Sequence, residues 1–557
     1  MTASFDPLNL IMDSPANVMA RAEALASADP ALAAFYHAQF HDLRARLADL
    51  VPAETLARFP IAADEPSAAN DPVIVSPAPD LPLSVVVVTR NDEHVERMRE
   101  RTQAFIDGVG VAASRARRPI ELIIVEWNPP ADRPPLADAY RFPQSHPYLT
   151  TVIVTVPRDV HATYDLGATL PLYQMIAKNV GVRRARGEFV LVTNIDILLP
   201  DALVRHFTDP ELAPGALHRS NRWDVRMDIL DRADAGAMID AAPGLTFRVN
   251  RRGGAVDCAD PSDARRQRDV EITPRATPEG IIEVFPPLHT EGCGDFQAMH
   301  RDDWRAVRGY AEIDGFCYHM DSLFSFICHF AGLDEHLLSD DCPHFHIDHT
   351  VGSVVTSSDY TIAEQETVSH IALESILLLC AVMRARGSHV QFNEETWGLA
   401  AVDLPFARVT TGDWDRGAVR YGRLKGPAKA GRATLADMPR LPRAVLEAHL
   451  DAYAGACAAL LKSRRAGPVL IFGHGGRGRW HADALARHGV TVNGFVDSHA
   501  QADTRDAAGR PVLHPDALAF GGADAPYVLV GSMYADEISE QLRARGAWEG
   551  DDFAVLY

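Results

Sequence analysis

Ala177-Lys178-Asn179-Val180-Gly181-Val182-Arg183-Arg184-Ala185-Arg186-Gly187-Glu188 runs directly into the apolar stretch Phe189 to Val192 and then into Thr193-Asn194-Ile195-Asp196. Small residues at Ala177, Gly181 and Ala185 suit a helix that packs closely, and Gly187 marks the turn out of it. The apolar run that follows reads as a buried strand, and Asp196 stands at its exit. A carboxylate there can hold a divalent cation against a diphosphate. This one segment therefore predicts an α/β fold with a phosphate-bearing ligand at the carboxyl end of a strand.

Working outward, Ser84 to Thr89 and Ile120 to Val125 are continuous β-branched or aliphatic runs, with a helical pattern from Glu96 to Val109 between them. Such runs belong to parallel strands buried on both faces. Thr151 to Val156 gives a third strand, Leu172 to Ala185 a helix, and Phe189 to Val192 the fourth strand. From there to about Pro287 the chain is polar and irregular, and this region is expected to cover the site. Residues 1–80 read as a helical N-terminal region and linker, 81–355 as the α/β domain, 356–465 as a mainly helical connection, and 466–557 as a separate small unit.

In that last unit, Pro468 to Phe472 is a strand, Gly473-His474-Gly475-Gly476-Arg477-Gly478 a turn, Trp480 to His488 a helix, and Val492 to Val496 a strand ending at Asp497. Glycines at this spacing let backbone approach a pyrophosphate at a helix N-terminus, and an acid about 20 residues on can bind a ribose hydroxyl. Gly473, Gly475, Gly478 and Asp497 are the expected nucleotide contacts of a Rossmann-like unit. The plainer alternative is an appendage whose glycines only allow close helix–sheet packing.

Bulk properties narrow the class. A chain of 557 residues with 47% apolar content exceeds one core and implies two or three domains. A formal charge of −21 disfavours nucleic acid or an anionic membrane as a general partner. The seven cysteines lack CxxC spacing, which argues against a disulfide framework and fits a reducing, cytoplasmic setting. No run of about 20 apolar residues is evident, so no transmembrane segment is expected and any membrane contact would be peripheral.

The stretch from about Leu83 to His349 resembles family 2-like glycosyltransferases of the GT-A fold. The resemblance implies that Thr89 and Asn91, at the end of the first strand, and Glu126, at the end of the second, cradle the base and ribose of a nucleotide-diphospho-sugar donor. It implies that Lys178 offsets diphosphate charge. Asn194-Ile195-Asp196 occupies the place of the family's Asp-x-Asp motif, so Asn194 and Asp196 are expected at the donor, with Asp196 holding a divalent cation, Mn or Mg. The amide at 194 is a departure from the pattern. Arg183 and Arg184 are better read as a solvated helix face.

A second block, Gly292-Cys293-Gly294-Asp295-Phe296-Gln297-Ala298-Met299 through Trp304, Gly309-Tyr310 and Glu312 to Asp321, matches the acceptor side of such enzymes. By that resemblance Asp321 is the general base, with Glu312 a second catalytic candidate and Asp295 and Asp314 in competition. Histidines crowd Pro343-His344-Phe345-His346-Ile347-Asp348-His349, and the same resemblance implies that His346 and His349 are additional metal ligands. The implied activity is transfer of a sugar, with inversion, to a glycan, lipid-linked or small-molecule acceptor hydroxyl in polysaccharide or glycoconjugate biosynthesis. Self-association into a homo-oligomer is left open. The competing class is a non-catalytic nucleotide-sugar-binding scaffold or sensor. An oxidoreductase using the C-terminal turn lacks a Tyr-x-x-x-Lys pair after it.

Overall fold

Four consecutive valines, Val85 to Val88, lose χ1 freedom in a helix but pack well on a pleated surface. They form the centre of β1 (Leu81–Thr89), which is buried from Leu83 onward. The computed structural model describes residues 29–38, 47–62, 79–92, 96–143, 145–252, 254–258, 286–348, 370–409, 415–419, 433–464, 467–522, 524–531 and 535–556. The described residues group into two compact units, one drawn from 52–273 and 285–439 and the other from 1–51 and 440–557.

The larger unit has a mixed α/β architecture. β1 pairs in parallel with β2 (Ile120–Trp127), which pairs with β3 (Leu149–Val156), and on its other side with β4 (Gly187–Thr193). β5 (Ile197–Leu198), β6 (Ala216–Arg219), β7 (Arg222–Val225), β8 (Thr246–Arg251), β9 (Gly254–Asp257), β10 (Phe296–His300) and β11 (Ile313–Asp314) follow. The unit is completed by β12 (Asp334–Leu337), β13 (His344–Ile347), β14 (Leu404–Val409), β15 (Asp415–Val419) and β16 (Ala433–Thr434). The main sheet runs β12-β6-β10-β4-β1-β2-β3-β14-β15. β10 is antiparallel to β4, with Phe296 opposite Thr193. That pairing sets Asp295 beside Asn194.

The core of this sheet is Val85, Leu122, Ile124, Leu191 and Phe296, with Phe105 delivered by the helix Met98–Ala116. The helix Gln174–Arg184 lies against β1 and β2. Its closeness depends on Gly181, where a Cβ would stand 2.4 Å from Val86 Cγ1. At the turn, a Cβ on Gly187 would meet Ser84 N at 2.3 Å. Gly181 is thus required by the valine side chains of the sheet beneath it, and Gly187 by close approach of the β1 backbone.

Two expectations are corrected. The region after β4 is not irregular among its described residues: β5-β13-β7-β8-β9 form a second five-stranded sheet. Its strands were hard to see because they are short and bury polar groups, including Asp224, Asn250 and Arg251. Arg183 and Arg184, read as solvated, are both only 5% exposed. Arg183 donates to Glu395 O and stacks 4.6 Å from the Trp397 ring, while Arg184 donates to the carbonyls of Gly398 and Leu399. They anchor the 395–402 segment on the back of the helix.

In the smaller unit, β17 (Val469–Phe472), β18 (Val492–Val496), β19 (Val512–Leu513), β20 (Tyr527–Val530) and β21 (Phe553–Val555) form an all-parallel sheet ordered β19-β18-β17-β20-β21. The helix Arg443–Lys462 packs against the helices Pro30–Ala38 and Gly476–Arg487, burying Leu450, Tyr453, Ala454, Cys457 and Leu461. By length and composition alone it is apolar enough to cross a membrane, which corrects the expectation that the sequence holds no such run. Its buried face is the ordinary pattern of a core helix.

Candidate active site at the carboxyl end of β4

Lys178 is fully buried, and its Nζ donates to Gly294 O at 2.8 Å. Burial pushes its ammonium down from the usual lysine range, while Asp295, Asp321 and Asp196 pull the other way. A lysine survives in the interior only when such charges surround it. Lys178 and Asp196 of the opening segment and Asp295 and Asp321 of the second block therefore converge on one place.

Asn194 explains its own identity. Its Nδ2 donates to Asp295 Oδ1 at 2.6 Å and its Oδ1 accepts from Gln174 Nε2 at 3.0 Å. A carboxylate at 194 would face the Asp295 carboxylate at hydrogen-bond distance, and like charges that close cannot both ionise. The amide is the residue that lets Asp295 stay charged. Asp295 is 8% exposed; burial raises its pKa, but Arg222 and further positive charges leave it lowered overall.

Asp196 leads into a buried chain of charges. His346 Nε2 stands 3.5 Å from Asp196 Oδ2, and His346 Nδ1 lies 2.8 Å from Asp224 Oδ1. Arg222 bridges Asp224 at 3.0 Å and Asp295 at 2.8 Å, and Asn250 donates to Asp224 at 2.8 Å. Burial opposes charge on His346, but its bonds to Asp196 and Asp224 win and raise it to about 10. Asp224 is lowered to about 2: burial pushes upward, and His346 and Arg222 overcome it. Without a cation, then, His346 is an imidazolium that spans two carboxylates.

A Mg or Mn ion takes oxygen ligands from carboxylates and phosphates. Asp196 and Asp295 are of the type that fits that need, and both act on the buried Lys178 ammonium. His346 fits as a nitrogen ligand only after giving up its Nε2 proton. His349 lies outside the described residues. His344 is fully buried and stacks 5.3 Å from the Phe296 ring; burial holds it near 3, so it packs neutral behind the site.

Asp321 occupies the first turn of the helix Met320–Phe330 and accepts the Ser322 N–H at 2.8 Å. Gly294 faces it: a Cβ there would meet Asp321 Oδ2 at 2.8 Å. Glu312, the second catalytic candidate, is used otherwise. Its Oε1 accepts from Asn179 Nδ2 at 3.0 Å and from Gly398 N at 2.7 Å, tying the Gln174–Arg184 helix to the turn that follows. Asp314 likewise accepts the N–H groups of Asp165 and Leu166.

The expected base-and-ribose residues are placed at strand ends but are occupied. Thr89 is buried, and Asn91 donates to Pro134 O at 2.8 Å. Glu126 accepts from Leu136 N at 2.8 Å and from Thr155 Oγ1 at 3.2 Å, with its pKa raised by burial. These contacts shape the 128–136 loop. Beside them Trp127 Nε1 donates to His161 Nδ1 at 2.9 Å, and His161 Nε2 faces Gly167 O at 2.9 Å, so His161 is structural. Asp224 and Arg222 were missed from the sequence; their signal was the alternation Arg222-Trp223-Asp224, which puts both charges on one face of a short strand.

In the smaller unit the glycine turn lines a cavity of about 460 Å³ with Phe472, Asp497, Ser498 and Gln541. Gly473 has φ +112°, and a Cβ on Gly478 would stand 1.9 Å from Gly473 O. Gly475 faces open space. Asp497 Oδ1 accepts the His499 N–H at 2.9 Å.

No family model and no curated protein matches the sequence. Among solved structures, the chain is similar to the catalytic domain of Drosophila beta1,4-galactosyltransferase 7 in complex with xylobiose, at 12% identity over 50% of this chain and 79% of that one, with a TM-score of 0.23. It is similar to S. aureus TarS 1–349 in complex with UDP, at 12% identity over 53% of this chain and 69% of that one, TM-score 0.26. Galactosyltransferase LgtC in complex with donor and acceptor sugar analogs gives 11% identity over 33% and 60%, TM-score 0.15. Likeness at this level carries no weight for the site, and the α/β description rests on the strand order itself.

Proposed function

We propose that this chain is a GT-A-type, family 2-like glycosyltransferase that moves a sugar, with inversion, from a nucleotide-diphosphate donor to an acceptor hydroxyl. The observation that carries the reading is the convergence of Lys178, Asp196, Asp295 and Asp321 at the carboxyl end of β4. Asp196 and Asp295 would hold the divalent cation, with His346 as a further ligand once deprotonated; when bound, the ion would neutralise charge on the departing diphosphate. Lys178 supplies fixed positive charge in a site that excludes water, where such charge acts strongly. Asp321 would take the proton of the attacking hydroxyl, oriented by its own helix N-terminus. Glu312 acts through Asn179 and Gly398 as a positioning residue. Thr89, Asn91 and Glu126 shape the base-binding end, and Gly473, Gly475, Gly478 and Asp497 form a second nucleotide cradle in the Rossmann-like unit. The division into 1–80, 81–355, 356–465 and 466–557 belongs to the same proposal, as do a cytoplasmic or membrane-peripheral setting and a role in polysaccharide or glycoconjugate assembly.

The second reading, a nucleotide-sugar-binding scaffold, draws on one observation: Asn194 and Glu312 both spend their polar atoms on the protein. Asp321→Asn separates the two. Lost turnover with donor binding kept supports the enzyme, whereas a wild-type chain that binds donor and never turns over supports the scaffold.

A further inference from the structure

Three histidines outside this site share one face of the sheet edge. His218 on β6 and His336 on β12 are register partners on parallel strands, so their side chains project to the same side. The helix Asp201–Phe207 adds His206 from its last turn. Ring centroids lie 5.0 Å apart for His218 and His336, 5.5 Å for His206 and His218, and 6.2 Å for His206 and His336. One nitrogen from each ring lies within 4.8 Å of the others.

This arrangement is hard to justify as packing alone. His218 is 3% exposed, yet neither of its ring nitrogens has a hydrogen-bond partner, and His206 Nε2 is also buried without one. A buried polar nitrogen left without a partner loses its hydration with nothing in return. The Phe189 and Phe207 rings stand edge-on to His218, giving it an apolar floor on that side. Burial, with His336 and His206 nearby, holds His218 near 3, so it is a neutral imidazole, the form that ligates metals.

We propose that His206, His218 and His336 bind a transition-metal dication of the zinc class, with a fourth position open to water. Imidazole nitrogens about 2.0–2.1 Å from zinc stand roughly 3.3 Å from one another, so closure needs only a modest inward swing of the rings. His336, exposed on the terminal strand, is free to make it. The bound ion would clamp the edge strand β12 to β6 and to the Asp201–Phe207 helix. This site is independent of the donor site and of the glycosyl-transfer reading, whose cation takes oxygen ligands.

The test is a Co(II) titration of chelator-treated full-length chain, read by visible absorption, with Zn(II) displacing the cobalt. Wild type and Asp196→Ala should bind one equivalent with a four-coordinate spectrum. His336→Ala, a change at an exposed strand position, should bind at least 100-fold more weakly, and His206→Gln should repeat that loss should either variant fold poorly. Zn(II) should raise the melting temperature of wild type and not of His336→Ala. No four-coordinate cobalt in wild type, or equal affinity in His336→Ala and wild type, would overturn the proposal and leave the three rings as neutral packing.

Discussion

Two strand ends in this chain are built by opposite means. At the end of β4 the site is made of side chains: an ammonium, four carboxylates, an imidazolium and a guanidinium, mostly buried and held by one another. At the end of β17 it is made of backbone: a glycine turn, a helix start and a cavity along which Asp497 is the one carboxylate among the described residues. Charge held in the interior needs partners and so imposes a network, whereas backbone amides need only clearance. The first arrangement suits a reaction that develops charge; the second suits recognition.

The sharpest way to break this contrast is at Asp321. Asp321→Asn keeps shape and removes the proton acceptor, and turnover should fall about 10²–10⁴-fold with donor affinity unchanged. Steady-state rates beside calorimetry check it. Next in size is Asp224→Ala, which leaves His346 and Arg222 without a shared counter-charge. Unfolding by denaturant should show a loss of about 3–5 kcal/mol, as for other broken buried pairs. No equivalent change should exist at β17, where Asp497→Ala should cost under about 1 kcal/mol, since its side chain is partly exposed.

The network also has a pH signature. His346 is raised to about 10, so its contribution is full below the ordinary histidine pKa of about 6.5 and is lost as pH rises through 10. Asp224 is lowered to about 2, so its contribution is full above about 3.9 and is lost as pH falls through 2. Stability measured in EDTA should therefore hold from about pH 4 to 6.5 and decline toward 10, and His346→Gln should remove the alkaline decline. A smaller effect tests the fit between Gly294 and Asp321. Gly294→Ala would press on the carboxylate at 2.8 Å, and we expect kcat to drop by about tenfold with little change in KM.

Much of this was legible in the sequence where apolar runs carried the signal. Val85–Val88, Ile120–Val125 and Phe189–Val192 named the parallel core because a strand buried on both faces has no other composition. The second sheet was not legible: β7 and β8 bury Asp224 and Asn250, and a strand whose inward face is polar loses its alternation. Arg183 and Arg184 misled for the same reason, since their partners are carbonyls some two hundred residues away in the chain. Asp196 could be found from its strand exit. Asn194 could not be understood until β10 placed Asp295 against it, a pairing between distant segments that local pattern does not contain.

The most direct measurement is calorimetric titration of UDP-, GDP-, CMP- and dTDP-sugars, with and without manganese, into the wild-type chain, Asp196→Ala and Gly475→Val. Gly475 faces open space, so valine there blocks the cavity without a packing clash. The charged network predicts manganese-dependent binding that Asp196→Ala abolishes and Gly475→Val leaves intact. Binding that survives Asp196→Ala and is lost in Gly475→Val, or no binding of any sugar nucleotide, would contradict it.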